Sequence, residues 1–305
     1  MVSGLILIDK KPGVTSFESL GEIKRALGTG KVGHTGTLDK FASGLLVVLT
    51  GRALKLIPWF SRCDKQYTGR IRFGVETDTL DPEGNVIAEA EVPPREKVEQ
   101  VLSRFTGEIM QEPPVFSAIH VNGRRASSLA RGGQPPEMKK RPVEIYRLEL
   151  LSWQPPFADI FVHCSGGTYI RSLGRDIALA AGSRACLCAL TRTKVAGFSL
   201  DMAGESISPL PVDKSIIASI GLPWFEVTPP EAENIIHGRP LEPILENRGL
   251  FPQNGSLLSG AKSFSAAVFA GEELVAVVER TGGRWKYGCV LTQLPFYDSI
   301  VQKTG

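Results

Sequence analysis

Lys31-Val-Gly-His-Thr-Gly-Thr-Leu-Asp-Lys-Phe-Ala-Ser-Gly44, followed at once by Leu45-Leu-Val-Val-Leu49, is the stretch on which the rest of the chain turns. It holds one carboxylate, one imidazole, two lysines, several hydroxyls and three glycines, Gly33, Gly36 and Gly44. Neither helical nor strand periodicity fits it, and glycine opens backbone angles that other residues avoid. The apolar run after it reads as a buried strand. A polar loop feeding a buried strand sets Asp39 and His34 at the edge of a core, where binding and catalytic groups often lie. The plainer alternative is a Gly/Thr-rich connection in which Asp39 caps the next element.

Outward from this loop the chain alternates strands and helices. Gly4 to Asp9 reads as a first strand, leading into the basic turn Lys10-Lys-Pro-Gly-Val14. Thr15 with Glu18 is a capping-box spacing, and the helix after it is expected to bury Phe17, Leu20, Ile23 and Leu27. A helix is expected from Ala53 to Phe60. Lys65 to Phe73 alternates as a strand, with Tyr67, Gly69, Ile71 and Phe73 on one face and Arg70 and Arg72 on the other. Asp78 to Gly84 is a turn cluster without the ligand spacing or closing Glu of a calcium loop. Pro94 to Phe105 has helical spacing, with Val98, Val101, Leu102 and Phe105 inward. Strands are expected at Val143–Trp153, Ala158–Cys164 and Leu187–Phe198, with a helix from the Gly166-Gly-Thr-Tyr-Ile-Arg171 segment to about Ala181. Composition shifts toward Pro, Ser and Ile over Ser206 to Pro223, which places a boundary near Leu222. Beyond it, a short helix over Glu231–His237 and strands at Ala266–Ala270, Leu274–Val278 and Tyr287–Leu294 describe a small β-rich module.

A chain of 305 residues can hold one large and one small domain. Its apolar runs are far shorter than a membrane span, so no membrane association is expected. Five cysteines without a Cys-x-x-Cys pair suit reduced thiols in the cytoplasm. The net charge of +3 conceals blocks. Asp9 to Arg72 carries twelve Lys/Arg against five Asp/Glu, Phe73 to Ala118 three against ten, and Ile119 to Arg147 seven against two. Two basic segments separated by an acidic one suggest a positive surface built from distant parts of the chain, suited to a phosphate-rich partner.

Several chemistries fail on spacing. Gly30-Lys31 lacks the upstream glycine and the Ser/Thr of a P-loop. His34, His120, His163 and His237 have no metal-ligand spacing, and no Gly-x-Ser-x-Gly elbow exists. Chemistry without metal or cofactor is left. A lone carboxylate can serve as a nucleophile if a nearby guanidinium keeps it ionised in a dry site. Arg171, at a strand-to-helix junction, is a candidate partner, with an ordinary surface arginine as the alternative.

Gly33-His-Thr-Gly-Thr-Leu-Asp39, with Ala42-x-Gly44, closely resembles the catalytic motif of TruB-type tRNA pseudouridine synthases. Matches follow in family order at Asp9-Lys10 with Gly13 and Thr15-Ser16, Lys65-x-Tyr67, Pro113-Pro-x-x-Ser-Ala118, Gly167-Thr-Tyr-Ile-Arg171 and Leu190-x-Arg192. The resemblance implies an α+β pseudouridine-synthase fold, its mixed, largely antiparallel sheet flanked by helices, over residues 1–222. A small β-rich PUA-like domain would occupy 223–305, with His237-Gly-Arg-Pro240 its faint signature. It further implies isomerisation of a flipped-out uridine at position 55 of the tRNA T loop, without a cofactor, by a monomer needing no protein partner. Asp39 would be the nucleophile, attacking ribose or pyrimidine, and Arg171 its partner. Tyr67 would stack on the base and could help remove the ring proton. His34 would hold the flipped state, Leu190 would line an apolar wall, and Lys10 and Tyr169 would belong to motifs beside the site. Arg124, Arg125 and Arg131, in a basic insertion over about 119–141, would form a thumb meeting T-arm phosphates. Two departures stand out: Lys40 replaces the proline that usually follows the aspartate, and Lys11 displaces another to position 12. Losing a fixed φ is expected to loosen the loop, and Lys40 could pair with Asp39 or with a phosphate. Lys65 is expected to be solvated or to face a phosphate.

Overall fold

The computed structural model describes residues 3–204, 206–245, 263–282 and 284–291. Strand β1 (Gly4–Lys10) precedes a 3-10 turn at Glu18–Leu20 and helix α1 (Gly21–Ala26). The capping box forms as its spacing predicts, Thr15 and Glu18 exchanging backbone-to-side-chain bonds of 2.7 and 3.1 Å. Leu20 and Ile23 are buried, but Phe17 is 69% exposed, with Lys24 4.1 Å from its ring centroid. The tighter 3-10 turn is out of phase with the 3.6-residue stripe and rotates Phe17 outward.

The central loop is less irregular than its composition suggests, because Val32–His34 forms a short strand, β2, against β3 (Ser43–Thr50). The expected Ala53–Phe60 helix is a 3-10 segment, Gly51–Leu56, running into α2 (Ile57–Arg62). Strand β4 (Lys65–Phe73) alternates as expected. A hairpin of β5 (Val75–Thr77) and β6 (Val86–Glu89), helix α3 (Arg95–Leu102) and β7 (Gly107–Gln111) follow. The basic segment folds as a miniature hairpin, β8 (His120–Val121) and β9 (Arg124–Arg125), capped by α4 (Ala126–Arg131). Then come the long β10 (Arg141–Gln154), β11 (Phe157–Cys164), helix α5 (Ile170–Ala180), β12 (Ala185–Val195) and the short β13 (Phe198–Ser199).

Nine of these strands form one sheet, whose main path runs β1-β3-β12-β4-β11-β10-β7. Its one parallel pair among the described residues is β3 with β12; the other neighbours are antiparallel. The architecture is therefore α+β with a mixed, largely antiparallel sheet. The apolar run of β3 is buried on both faces, as an interior strand should be. Leu45, Val47 and Leu49 face one core with Leu5, Leu7 and Phe60, while Leu46 and Val48 face Ile6, Leu20 and Ile23. A separate core packs Ile71, Phe73, Ile160 and Val162 against α3 and α5.

After α6 (Lys214–Ser219), a second sheet is made by β14 (Trp224–Glu226), then, past α7 (Pro229–Ile236) and α8 (Glu242–Leu245), by β15 (Ser263–Ala270), β16 (Glu273–Thr281) and β17 (Arg284–Val290). Strand β14, too short for its period to show in sequence, pairs in parallel with β15. Residues 292–294 of the last expected strand lie outside the described residues. Ala267, Phe269 and Val277 of this sheet share the core that holds β1 and β3. Among the described residues no helix is long and apolar enough to cross a membrane.

Gly44 fixes where β3 meets β12. Its φ is +101°, and a Cβ there would lie 2.4 Å from the Arg192 carbonyl oxygen and 2.8 Å from its nitrogen. Backbone strain and a backbone clash should together make Gly44→Ala cost about 3 kcal/mol or more. Urea unfolding measures this, and a loss below about 1 kcal/mol would show that the strand pair can part to admit a methyl group.

Candidate active site

The parallel seam of β3 and β12, with β4 beside it, opens a cleft of about 260 Å³. Ligand cavities commonly run about 300–1,000 Å³, so this one is small. Asp39, Tyr67, Tyr169, Arg171 and Leu190 all line it, although they come from positions as far apart as 39 and 190.

The loop bearing Asp39 is pinned from several sides. The Ser16 hydroxyl accepts from the Leu38 N–H at 2.8 Å and donates to the Leu38 carbonyl at 2.9 Å. The Gly13 N–H donates to the Lys40 carbonyl, 2.8 Å. The buried Lys10 ammonium donates to the carbonyls of Ala42 (2.6 Å), Lys11 (3.0 Å) and Lys40 (3.4 Å). Lys10 therefore holds the loop and does not line the cleft. These bonds supply the rigidity that the missing proline was expected to cost. Lys40 turns to Glu83, 3.8 Å away, and Lys11 to Asp9, 2.5 Å away.

Asp39 keeps 35% of its side chain exposed, while Arg171 beside it is 3% exposed. The Arg171 Nε lies 2.8 Å from one Asp39 oxygen, and Nη2 donates to the other at 3.1 Å. The same guanidinium donates to Asp81 (3.1 Å), to the Thr79 carbonyl (2.5 Å) and to the Phe116 carbonyl (3.0 Å). Arg171 is thus the hub of the site rather than a surface residue. Burial raises the Asp39 carboxyl above its ordinary pKa; Arg171 pulls it down, and the Asp81 carboxylate pushes it up again.

Tyr67 is 6% exposed, and burial pushes its hydroxyl up to about 12, so it is a neutral phenol at physiological pH. Leu190, 7% exposed, supplies an apolar wall. Tyr169 is held through its backbone by Gln111, and Arg141 lies 5.2 Å from its ring centroid. His34 sits behind the loop at the end of β2, its Nδ1 buried without a partner among the described residues, and does not line the cleft. Arg124, Arg125 and Arg131 are exposed on the small hairpin and α4, away from the cleft lining.

Three site residues escaped the reading of the sequence. Asp81 lies in the turn cluster that failed as a calcium loop, and nothing local marks it as a partner for an arginine 90 residues away. Arg192 stands in the Leu190-x-Arg192 motif but had no role assigned; it is 2% exposed and lines the cleft. Lys65, expected to be solvated, is 7% exposed and lines it too. Its ammonium donates to the carbonyls of Ser61 (3.0 Å) and Cys63 (2.6 Å). No group of three or more potential metal-ligating side chains occurs among the described residues.

The fold is similar to that in the crystal structure of a Cbf5-Nop10-Gar1 complex, with a TM-score of 0.66 at 23% identity, covering 96% of this chain and 86% of that one. Residues 24–170 match the TruB family pseudouridylate synthase N-terminal domain. The tRNA pseudouridine synthase B of Borreliella burgdorferi (strain ZS7) is 46% identical over 203 residues, 66% of this chain and 72% of that protein. The tRNA pseudouridine synthase B of Cutibacterium acnes is 38% identical over 271 residues, 84% of this chain and 92% of that protein. The class that these relatives define is the pseudouridylate synthases. Within it, the chain belongs to the TruB family.

Proposed function

We propose that this enzyme isomerises the uridine at position 55 in the T loop of tRNA to pseudouridine, with Asp39 as nucleophile. One observation carries the assignment: a carboxylate recessed in a small cleft and gripped by a buried arginine, with Tyr67 and Leu190 on the walls. The names of the relatives support tRNA as the substrate. A stacked base cannot reach such a recess, so the uridine must be flipped out. Tyr67 then stacks on the base. Leu190 packs on the ring, Tyr169 flanks the mouth, and His34 backs the loop. The second sheet is a PUA-like module steadying the RNA, and the enzyme acts as a cytoplasmic monomer without a partner protein.

The direct test is to incubate purified protein with unmodified tRNA and map pseudouridine by position. A single new pseudouridine in the T loop is expected; modification elsewhere would overturn the assignment.

The exposed arginines of the basic hairpin supply the grip on phosphates. Replacing Arg124, Arg125 and Arg131 together with Ala should weaken T-arm binding and lower the salt slope by up to about 2–3, each lost phosphate contact accounting for about 0.7–0.9. Binding measured across a salt series checks this, and an unaltered slope would take the hairpin off the RNA.

A further inference from the structure

Two cations on the cleft wall have no part in the pairing around Asp39. Lys65 on β4 and Arg192 on β12 are 7% and 2% exposed, both line the cleft, and neither makes an ion pair among the described residues. Lys65 gives two of its three ammonium hydrogens to backbone carbonyls, which leaves one. Arg192 donates from Nε to the Leu45 carbonyl (2.8 Å) and from Nη2 to the Gly36 carbonyl (3.1 Å), and its guanidinium faces the Tyr67 hydroxyl. Both cations crowd the bare side of Gly36, where a Cβ would lie 3.5 Å from Arg192 Nη1 and 3.7 Å from Lys65 Cε. Burying two like charges without an ion-pair partner is costly. The arrangement makes sense if negative charge meets them during turnover.

The reaction supplies that charge. Forming pseudouridine moves the ribose C1′ from N1 to C5 of uracil. If the Asp39 carboxylate bonds to C1′, the C1′–N1 pair leaves with the base and spreads over N1, O2 and O4. If it bonds to C6 instead, the C5=C6 pair shifts toward O4. Either way a carbonyl oxygen of the base becomes anionic. We propose that Lys65 and Arg192 form an electropositive floor that binds the uracil carbonyl oxygens and holds the anionic base while it turns, which makes them catalytic residues beside Asp39. The proposal rests on the assignment of the cleft as the uracil site. On rejoining, C5 bonds to C1′ and the carboxylate leaves with its electron pair; the C5 proton passes to the freed carboxylate or to water, and N1 takes a proton from water. No oxidant or reductant is needed. The same donor-only floor suits the O4 acceptor of uracil and rejects the amino group of cytosine.

Single-turnover cleavage of the glycosidic bond tests this, with T-arm RNA carrying uridine or 5-fluorouridine at the target. Fluorine withdraws electrons, so the anionic base needs less help from the protein. Lys65→Met should slow cleavage of uridine about 100-fold with RNA affinity unchanged, and the deficit should shrink about tenfold on the fluorinated RNA. Equal deficits on both RNAs, or a loss confined to binding, would overturn the proposal. Lys65→Arg gives a second test that does not need the Met variant to fold. Burial, then Arg192, lowers the Lys65 ammonium to about 8, against weaker upward pulls from Cys63, Cys164 and Asp64. The wild-type rate should fall as that charge is lost above about pH 8, and the non-titrating guanidinium should move this limb upward. An unmoved limb would equally overturn it. An active Asp39→Asn control would instead strike at the assignment of the cleft.

Discussion

Asp39→Asn is expected to abolish pseudouridine formation, a fall of about 10⁴-fold or more, because the amide cannot form the bond to substrate that opens the pathway. RNA affinity should survive, since the basic hairpin proposed to grip phosphates is a separate element. The melting temperature at neutral pH should hold or rise. Burial raises the Asp39 carboxyl above its unfolded value. A carboxyl that binds its proton more tightly when folded contributes stability below its unfolded pKa and loses it as pH rises through the folded one. At neutral pH the charged form therefore opposes folding, and a neutral amide of the same shape relieves that cost. Quantifying pseudouridine alongside a thermal melt decides the matter. Unchanged turnover would remove Asp39 from the mechanism, and a large drop in melting temperature would make its ion pair chiefly structural.

Arg171→Lys should cost about 10²–10³ in the rate at neutral pH, through loss of the electrostatic support on which the carboxylate depends. A lysine keeps the charge but cannot reach Asp39, Asp81 and the carbonyls of Thr79 and Phe116 together, as the planar fork does. Weaker pairing leaves Asp39 more exposed to Asp81, so the acidic limb of the pH–rate profile should move up. Asp81→Asn should move it the other way, because that carboxylate pushes the Asp39 pKa upward. Profiles of kcat/KM for the two variants read both signs. Limbs that stay in place, or move together, would mean that Arg171 positions the loop without tuning its charge. A full truncation such as Arg171→Ala would strand two carboxylates and destabilise by about 3–5 kcal/mol, so the conservative variant is the more informative one.

Much of the catalytic half was legible because its signals are local. The capping box at Thr15 and Glu18, the alternation of Lys65 to Phe73 and the doubly buried run of β3 each depend on residues a few positions apart, where periodicity and turn chemistry act directly. The loop around Asp39 was legible for another reason: seven consecutive residues of a specific motif, with companions in order, carry a likeness that no propensity does. Where the reading slipped, the cause was also physical. Phe17 left the core because a 3-10 turn replaced the first turn of helix. Strand β14 is too short for its period to show.

By itself, then, the sequence determined the run of strands and helices, the family and the motif that carries Asp39. Only the tertiary structure decided what surrounds the Asp39 carboxylate. Inserting β12 between β3 and β4 brings Arg192 and Lys65 to the cleft, and packing α5 beneath the turn at 78–84 lets one arginine bind both Asp39 and Asp81. A charged side chain looks the same in sequence whether it ends in water or in a core. What distinguishes the two is the set of carbonyls and opposite charges that non-local pairing brings within reach, and no local pattern encodes that set.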